Sequence, residues 1–316
     1  RPVAADTSHW LKAGIDLTAR RWPLDAMRAV GLATDALLEL VLPGTRLGTL
    51  DVDIARRLGL PDDVLVVAGM TDGCTAQLAS GAMRDGDTMG VLGTTLVIKA
   101  VTGTPLDTDD GAVYSHLAPD GRYWAGGASN SGAGVLAAEF AGEDLAALDE
   151  QAAGEVATYV RYPLSVVGER FPVANRGMPP LADGRPQSRL DAYRATLEGV
   201  AFVERLGLER LQALGVTPRR HVLAGGATRS VVWNGIRATV LVPLVRVSVA
   251  RSASSGVGAA ILAAHALSGP GTPLSKTVDR LVPPTEPVEP IAAQRDSLER
   301  AYQRFLALAA PAPSSL

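Results

Sequence analysis

Between Ser188 and Leu267 the chain alternates between two hydrophobic periods, and this alternation restricts its fold more than any other feature. Apolar residues recur at helical spacing over roughly 189–214, and a short β-type run follows at 221–224, closed by Gly225-Gly226. A second helical stretch (231–241), a second β run (244–249) and a small-residue helix (254–267) complete the series. Strands that alternate with helices bury a sheet beneath them, so the pattern predicts an α/β fold. Ser188 stands where it can cap the long helix, with Asp191 in the first turn, where negative charge is favourable.

The upstream half reads less regularly. Residues 23–41 have helical spacing with Pro23 at the first turn, ending at Pro43-Gly44, and 51–58 form a short helix closed by Gly59. A buried-type strand is expected over 64–68, then a small-residue helix over 71–80 able to pack closely on a sheet. Residues 88–100 read as a hairpin through Gly93-Thr94-Thr95. The stretch 102–111 has linker composition and places a domain boundary near it, dividing the chain into 1–104 and 105–316. Strands at 112–117 and 123–127 join through Ala118-Pro119-Asp120-Gly121, a strong hairpin signal. Helices begin at Ser131 and span 145–154, 162–187 reads as an ordered loop, and a Pro/Ala/Ser tail follows Leu308.

Composition excludes several functions. With 316 residues, 47% hydrophobic, 20% charged and net charge −3, the chain has an ordinary globular makeup and no basic excess for nucleic acid or an acidic membrane surface. A single cysteine, Cys74, rules out an intrachain disulfide and a cysteine-rich metal site, and fits a reducing cytoplasm. No uninterrupted apolar run reaches the length of a membrane span. The chain opens on loop-like sequence without Met, and this leads to the expectation that something N-terminal is missing.

Two short segments carry the chemistry. Gly69-Met70-Thr71-Asp72-Gly73 puts an aspartate on a tight turn between an apolar strand and a helix, exposed yet rigidly held, which suits a general base. An Asp-Gly turn that merely bonds its own backbone is an equally good reading of those residues alone. Gly93-Thr94-Thr95 offers N–H and hydroxyl donors to an anion, although a hairpin turn needs no ligand. Leu223-Ala224-Gly225-Gly226-Ala227-Thr228 follows a strand and precedes a helix, as a backbone approaching a flat ligand does. It lacks the Walker A lysine and the third glycine of the dinucleotide fingerprint. His9, His116, His221 and His265 have no metal-ligand spacing and read as structural or surface residues. Cys74 reads as a packing residue, the four tryptophans as core or edge aromatics, and Gly168-Glu169-Arg170-Phe171 as an ion-paired loop.

Taken in order, these segments resemble the FGGY family of carbohydrate kinases. The resemblance rests on Gly69–Gly73, Leu92-Gly93-Thr94-Thr95, Gly126-Gly127-Ala128, the helix from Tyr193 to Phe202, Gly225-Gly226-Ala227 with Trp233, and the small-residue run from Gly256 to Ala263. Asp6-Thr7-Ser8, residues 12–16 and Gly168–Pro172 look closest to the D-ribulose/xylulose kinase branch. The resemblance implies an actin-like ATPase, ribonuclease-H-like fold with two domains flanking a cleft, and an incomplete N-terminal domain, because the family's opening phosphate-binding Asp-x-Gly-Thr motif is absent. It implies ATP with Mg2+ as cofactors and a small sugar, such as a ketopentose, as substrate, with no nucleic-acid or membrane partner; a homodimer is a reasonable prior. Asp72 would be the base and, with Gly73, would contact the sugar. Gly93, Thr94 and Thr95 would contact the nucleotide phosphates, and Gly126, Gly127, Gly225, Gly226, Ala227 and Ser230 would lie along the nucleotide. The absent phosphate loop supports a rival expectation, an inactive kinase fragment or a non-enzymatic nucleotide-binding module.

Overall fold

Residues 4–35, 37–268 and 271–310 are described by a computed structural model of the chain. Residues 1–3 and the expected tail beyond 310 lie outside the described residues. The first part runs β1 (Ala5–Asp6), α1 (Thr7–Trp10), α2 (Leu24–Ala29), β2 (Leu40–Val41), β3 (Arg46–Thr49), α3 (Val52–Arg57), β4 (Leu65–Val67) and α4 (Asp72–Ser80). β5 (Asp87–Leu92), β6 (Leu96–Thr102), β7 (Tyr114–Leu117), β8 (Tyr123–Ser129), α5 (Ala133–Glu139), α6 (Leu145–Gln151), β9 (Val160–Tyr162) and β10 (Leu181–Asp183) follow. The last third comprises α7 (Arg189–Ala213), β11 (Arg220–Ala224), α8 (Val231–Leu241), β12 (Arg246–Val249), α9 (Ser255–Ala266), α10 (Leu274–Leu281), β13 (Glu286–Pro287) and α11 (Arg295–Ala309).

A seven-stranded sheet in the order β13-β12-β11-β5-β6-β8-β7 organises these elements. β12, β11 and β5 are parallel, as the alternation of strands and helices predicts, while β5, β6, β8 and β7 pair antiparallel in that order. Because successive side chains on a strand point to opposite faces, β6 feeds two cores. Leu96, Ile98 and Ala100 join the larger one, with Phe171, Phe202, Ile236, Tyr302 and Phe305. Val101 joins the other, with Leu78, Met83, Trp124, Ile261 and Leu262. Strands from both sides of position 104 share this sheet: β5 pairs with β11, and β6 pairs with β8 from Leu96–Ser129 to Thr102–Tyr123.

The long helix forms where its cap predicts, with Ser188 Oγ accepting from the Asp191 N–H at 3.0 Å. The helix expected over 23–41 is mostly absent. Among the described residues of that span only Leu24–Ala29 is helical, none of these residues is buried, and Gly31 takes a left-handed φ of +78° ahead of β2. A helical period without a packed face does not hold a long helix together.

Candidate active site

Parallel pairing brings the C-terminal ends of β5, β11 and β12 to one edge of the sheet, and three turns leave from it. The turn after β5 is Gly93-Thr94-Thr95. It is seated on the start of α5, where Ala133 N donates to Gly93 O (2.9 Å) and Gly134 N to Thr94 O (3.0 Å). A Cβ at Gly132 would lie 2.5 Å from Thr94 O, so only glycine permits this seat. The turn after β11 touches the first turn directly. Gly225 has φ +91°, and a Cβ on it would meet Leu92 O at 2.5 Å. By contrast, a Cβ at Gly93 or Gly226 would meet nothing within 4 Å, so both present bare backbone to open space. Ser230 is the N-cap of α8 rather than a residue within it; its Oγ accepts from Trp233 N at 2.9 Å.

Asp72 reaches the same edge by another route. It is the first residue of α4, and its exposed carboxylate accepts from the Gly73 N–H at 2.7 Å. Ser255 Oγ, at the start of α9, donates to Asp72 O at 3.0 Å. A Cβ at Gly258 would lie 1.8 Å from Thr75 O, so α4 and α9 pack backbone against backbone. The small residues of α4 thus allow close contact with α9, while Cys74 and Leu78 pack against Val101 and Trp124 of the sheet, as expected of this helix. Since α9 follows the turn after β12, this packing ties Asp72 to the edge that carries the two glycine turns. Upstream, Thr71 N donates to Ser8 Oγ at 3.0 Å, and Ser8 Oγ donates to Asp6 Oδ1 at 2.6 Å. Cys74 is buried, with Lys99 Nζ donating to its Sγ at 3.4 Å, and the same ammonium lies 3.9 Å from where a Gly73 Cβ would stand.

Gly126 and Gly127 sit elsewhere. They lie inside β8, where a Cβ at 126 would meet Ile98 O at 1.9 Å and one at 127 the Phe171 ring at 2.5 Å. Close packing within the sheet accounts for them, and they do not line the turn-bearing edge. Glu169 corrects the ion-paired loop. Its buried carboxylate accepts from Ser129 Oγ (2.6 Å), Tyr162 OH (2.9 Å) and the N–H groups of Asn130 and Arg170 (2.7 and 2.8 Å), while Arg170 Nη2 reaches Ser129 O instead. Burial raises this carboxyl despite those donors.

Beneath the turns lies a charged cluster without a local signature, because its members are single residues scattered over three elements. Glu204 (α7) forms a two-pronged pair with Arg237 (α8), at 2.7 and 2.6 Å, and accepts from His221 Nε2 (β11) at 3.0 Å. All three side chains are fully buried. His221 Nδ1 lies 2.8 Å from Thr88 Oγ1 of β5. The cluster joins the two strands from which the glycine turns emerge.

Among the described residues no group of three or more His, Cys, Asp or Glu side chains could hold a metal ion. A magnesium ion at this edge would take most of its ligands from phosphate oxygens and water, as its reluctance to dehydrate favours. No helix among the described residues is long and apolar enough to cross a membrane.

A mixed sheet whose parallel strands end in two apposed glycine turns, with a carboxylate on a neighbouring helix, defines the actin-like ATPase class of fold. Residues 88–267 match the C-terminal domain of the FGGY family of carbohydrate kinases, and the chain belongs to that family. It is 28% identical over 315 residues to the xylulose kinase of Escherichia coli (strain K12), covering 94% of this chain and 64% of that protein. It is 24% identical over 271 residues to the gluconokinase of Bacillus licheniformis, covering 80% of this chain and 53% of that protein. Among solved structures, the xylulose kinase of Rhodospirillum rubrum superposes with a TM-score of 0.81 at 28% identity, over 96% of this chain and 63% of that one. The chain therefore spans about half to two thirds of the length of such relatives.

Proposed function

We propose that the chain acts in ATP-dependent transfer of the γ-phosphate to a sugar hydroxyl. The observation that carries this reading is the fixing of Asp72 to the same sheet edge as the bare turns Gly93–Thr95 and Gly225–Ala227. Asp72 takes the proton from the attacking hydroxyl, and an exposed carboxylate at a helix start is free to do so. Backbone N–H groups of the 93–95 turn and the Thr94 and Thr95 hydroxyls receive phosphate oxygens. Gly225, Gly226 and Ala227, with Ser230 beyond them, lie along the nucleoside. Magnesium, when bound, neutralises charge on the transferring phosphate. Residues ahead of β5 supply the acceptor side and the seven-stranded sheet the nucleotide side. A ketopentose such as D-xylulose or D-ribulose is the proposed acceptor, supported by the similarity to a xylulose kinase over nearly the whole chain.

Coupled ADP release with MgATP and D-ribulose, D-xylulose, L-ribulose, gluconate, glycerol or no sugar tests this. The expected result is sugar-dependent turnover that falls about a hundred- to ten-thousand-fold in Asp72→Asn, with nucleotide binding retained. Retained turnover in that variant overturns the role of Asp72. ATP binding without transfer to any acceptor would make the chain a nucleotide-binding module instead.

A further inference from the structure

Lys99 of β6 is a buried cation without a counter-charge. It is 6% exposed, and among the described residues no carboxylate pairs with it. Its one hydrogen-bond partner there is Cys74 Sγ at 3.4 Å, although an ammonium has three N–H groups to place and sulfur is a weak acceptor. A charge buried on such a partner is costly. Packing does not require it, since Val101, two residues along the same face of β6, meets α4 with a plain apolar side chain.

Cys74 is the only cysteine of the chain and lies fully buried in the first turn of α4. The helix start is open: Asp72 is exposed, and Gly73 separates it from the thiol. A Cβ on Gly73 would meet Lys99 Nζ alone, at 3.9 Å, so no side chain stands between that end and the ammonium. Local opening at a helix end gives a water-sized oxidant its approach. Sulfur and nitrogen, brought together from residues 25 apart in the chain, then face each other with no competing partner.

We propose that Cys74 and Lys99 form an oxidation-driven cross-link, in which hydrogen peroxide converts their contact into a sulfur–nitrogen bond. The thiol sulfur attacks the O–O bond of the peroxide, giving Cys74 sulfenic acid and water. Lys99 Nζ attacks that sulfur, and the S–O bond breaks as the S–N bond forms. The sulfenic oxygen leaves as water with one hydrogen from the nitrogen, and a second hydrogen of the ammonium passes to solvent as a proton. Sulfur loses two electrons and the peroxide gains them. A dithiol reverses the link and ends as its own disulfide. The product pins the first turn of α4, where Asp72 stands, to β6. Neither step draws on phosphate transfer, so the inference is independent of the kinase reading.

Peptide mapping of the folded wild-type chain tests it, because a single cysteine leaves no intrachain disulfide to imitate the product. After hydrogen peroxide, and trypsin without reductant, residues 58–84 are expected joined to residues 85–122, with cleavage after Lys99 blocked. The pair is expected to weigh about 2 Da less than its two parts, apart from about 16 Da for each methionine sulfoxide. Dithiothreitol is expected to separate the two peptides again. The oxidised chain is also expected to unfold at a higher urea midpoint than the reduced one, as a closed loop dictates. No joined pair is expected from Lys99→Met, which lacks the nitrogen, or from wild type oxidised in concentrated urea, which lacks the contact. Cys74 recovered as thiol, or as sulfenic, sulfinic or sulfonic acid, without the joined pair overturns the cross-link. An equal yield of the pair from the urea-unfolded chain overturns the part played by the fold. Both outcomes are read on wild type, so they decide even where Lys99→Met does not fold.

Discussion

Glu204 Oε1 fills the space that a side chain on residue 90 would need: a Cβ at Gly90 would stand 2.0 Å from it and 2.7 Å from His221 Nε2. The strand that ends in the Gly93–Thr95 turn therefore lies directly on a buried charge cluster. Gly90→Ala drives a methyl into a fully buried carboxylate, and overpacking of this kind costs about 3 kcal/mol or more. Urea unfolding should show a lower midpoint with an unchanged slope.

The same cluster predicts a pH effect. Burial alone would raise the Glu204 carboxyl, but the Arg237 guanidinium, aided by His221, outweighs it and holds it down at about 2, from an ordinary 4.5. A carboxyl depressed in the folded state contributes stability that is present above 4.5 and lost as pH falls toward 2. Glu204→Gln leaves Arg237 buried without its counter-charge, a loss of about 3–5 kcal/mol, whereas Glu204→Leu with Arg237→Met recovers most of it. Unfolding curves at pH 7 for the three proteins check the order.

His116 sets a second window. Burial, reinforced by the Lys99 and Lys12 ammonium groups, holds its imidazole down at about 2, from an ordinary 6.5. The native ring stays neutral while the unfolded one takes a proton below 6.5, so stability is full above that pH and declines as pH falls. Between pH 6.5 and 5 the loss approaches about 1.4 kcal/mol per pH unit, the slope of one proton. Replacing the ring in His116→Phe should flatten that part of the urea-midpoint profile.

Gly225→Ala meets two obstacles at once, a left-handed φ of +91° and Leu92 O at 2.5 Å. Relief requires the two turns to part. In the proposed reaction this raises the KM for MgATP while leaving the sugar KM in place, a split that steady-state kinetics reads directly.

Much of this arrangement was legible in the sequence where a local rule decides the outcome. Ser188 caps α7 as its hydroxyl predicts, α8 occupies 231–241, and both hairpins turn at the residues that favour turns. Asp72 stood out for its place between an apolar strand and a helix. What escaped notice depends on distant partners. Cys74 reads as a packing residue and is one, but the ammonium against its sulfur comes from Lys99 on β6. The residues after 271 supply α11, whose Tyr302 and Phe305 stack on each other at 6.0 Å and complete the larger core. The crowding at Gly126 and Gly127 is hidden for the same reason, since an approaching Ile98 carbonyl or Phe171 ring leaves no local trace.

Contact between the backbones of α4 and α9 at Thr75 and Gly258 has a mechanical consequence. In the proposed reaction, that contact holds the base Asp72 to α9, the helix that follows the turn after β12. In that proposed reaction, the segment ahead of β5 then meets the acceptor on a support shared with the base, so substitutions in residues 5–69 should change the sugar KM and those in 87–258 the KM for MgATP.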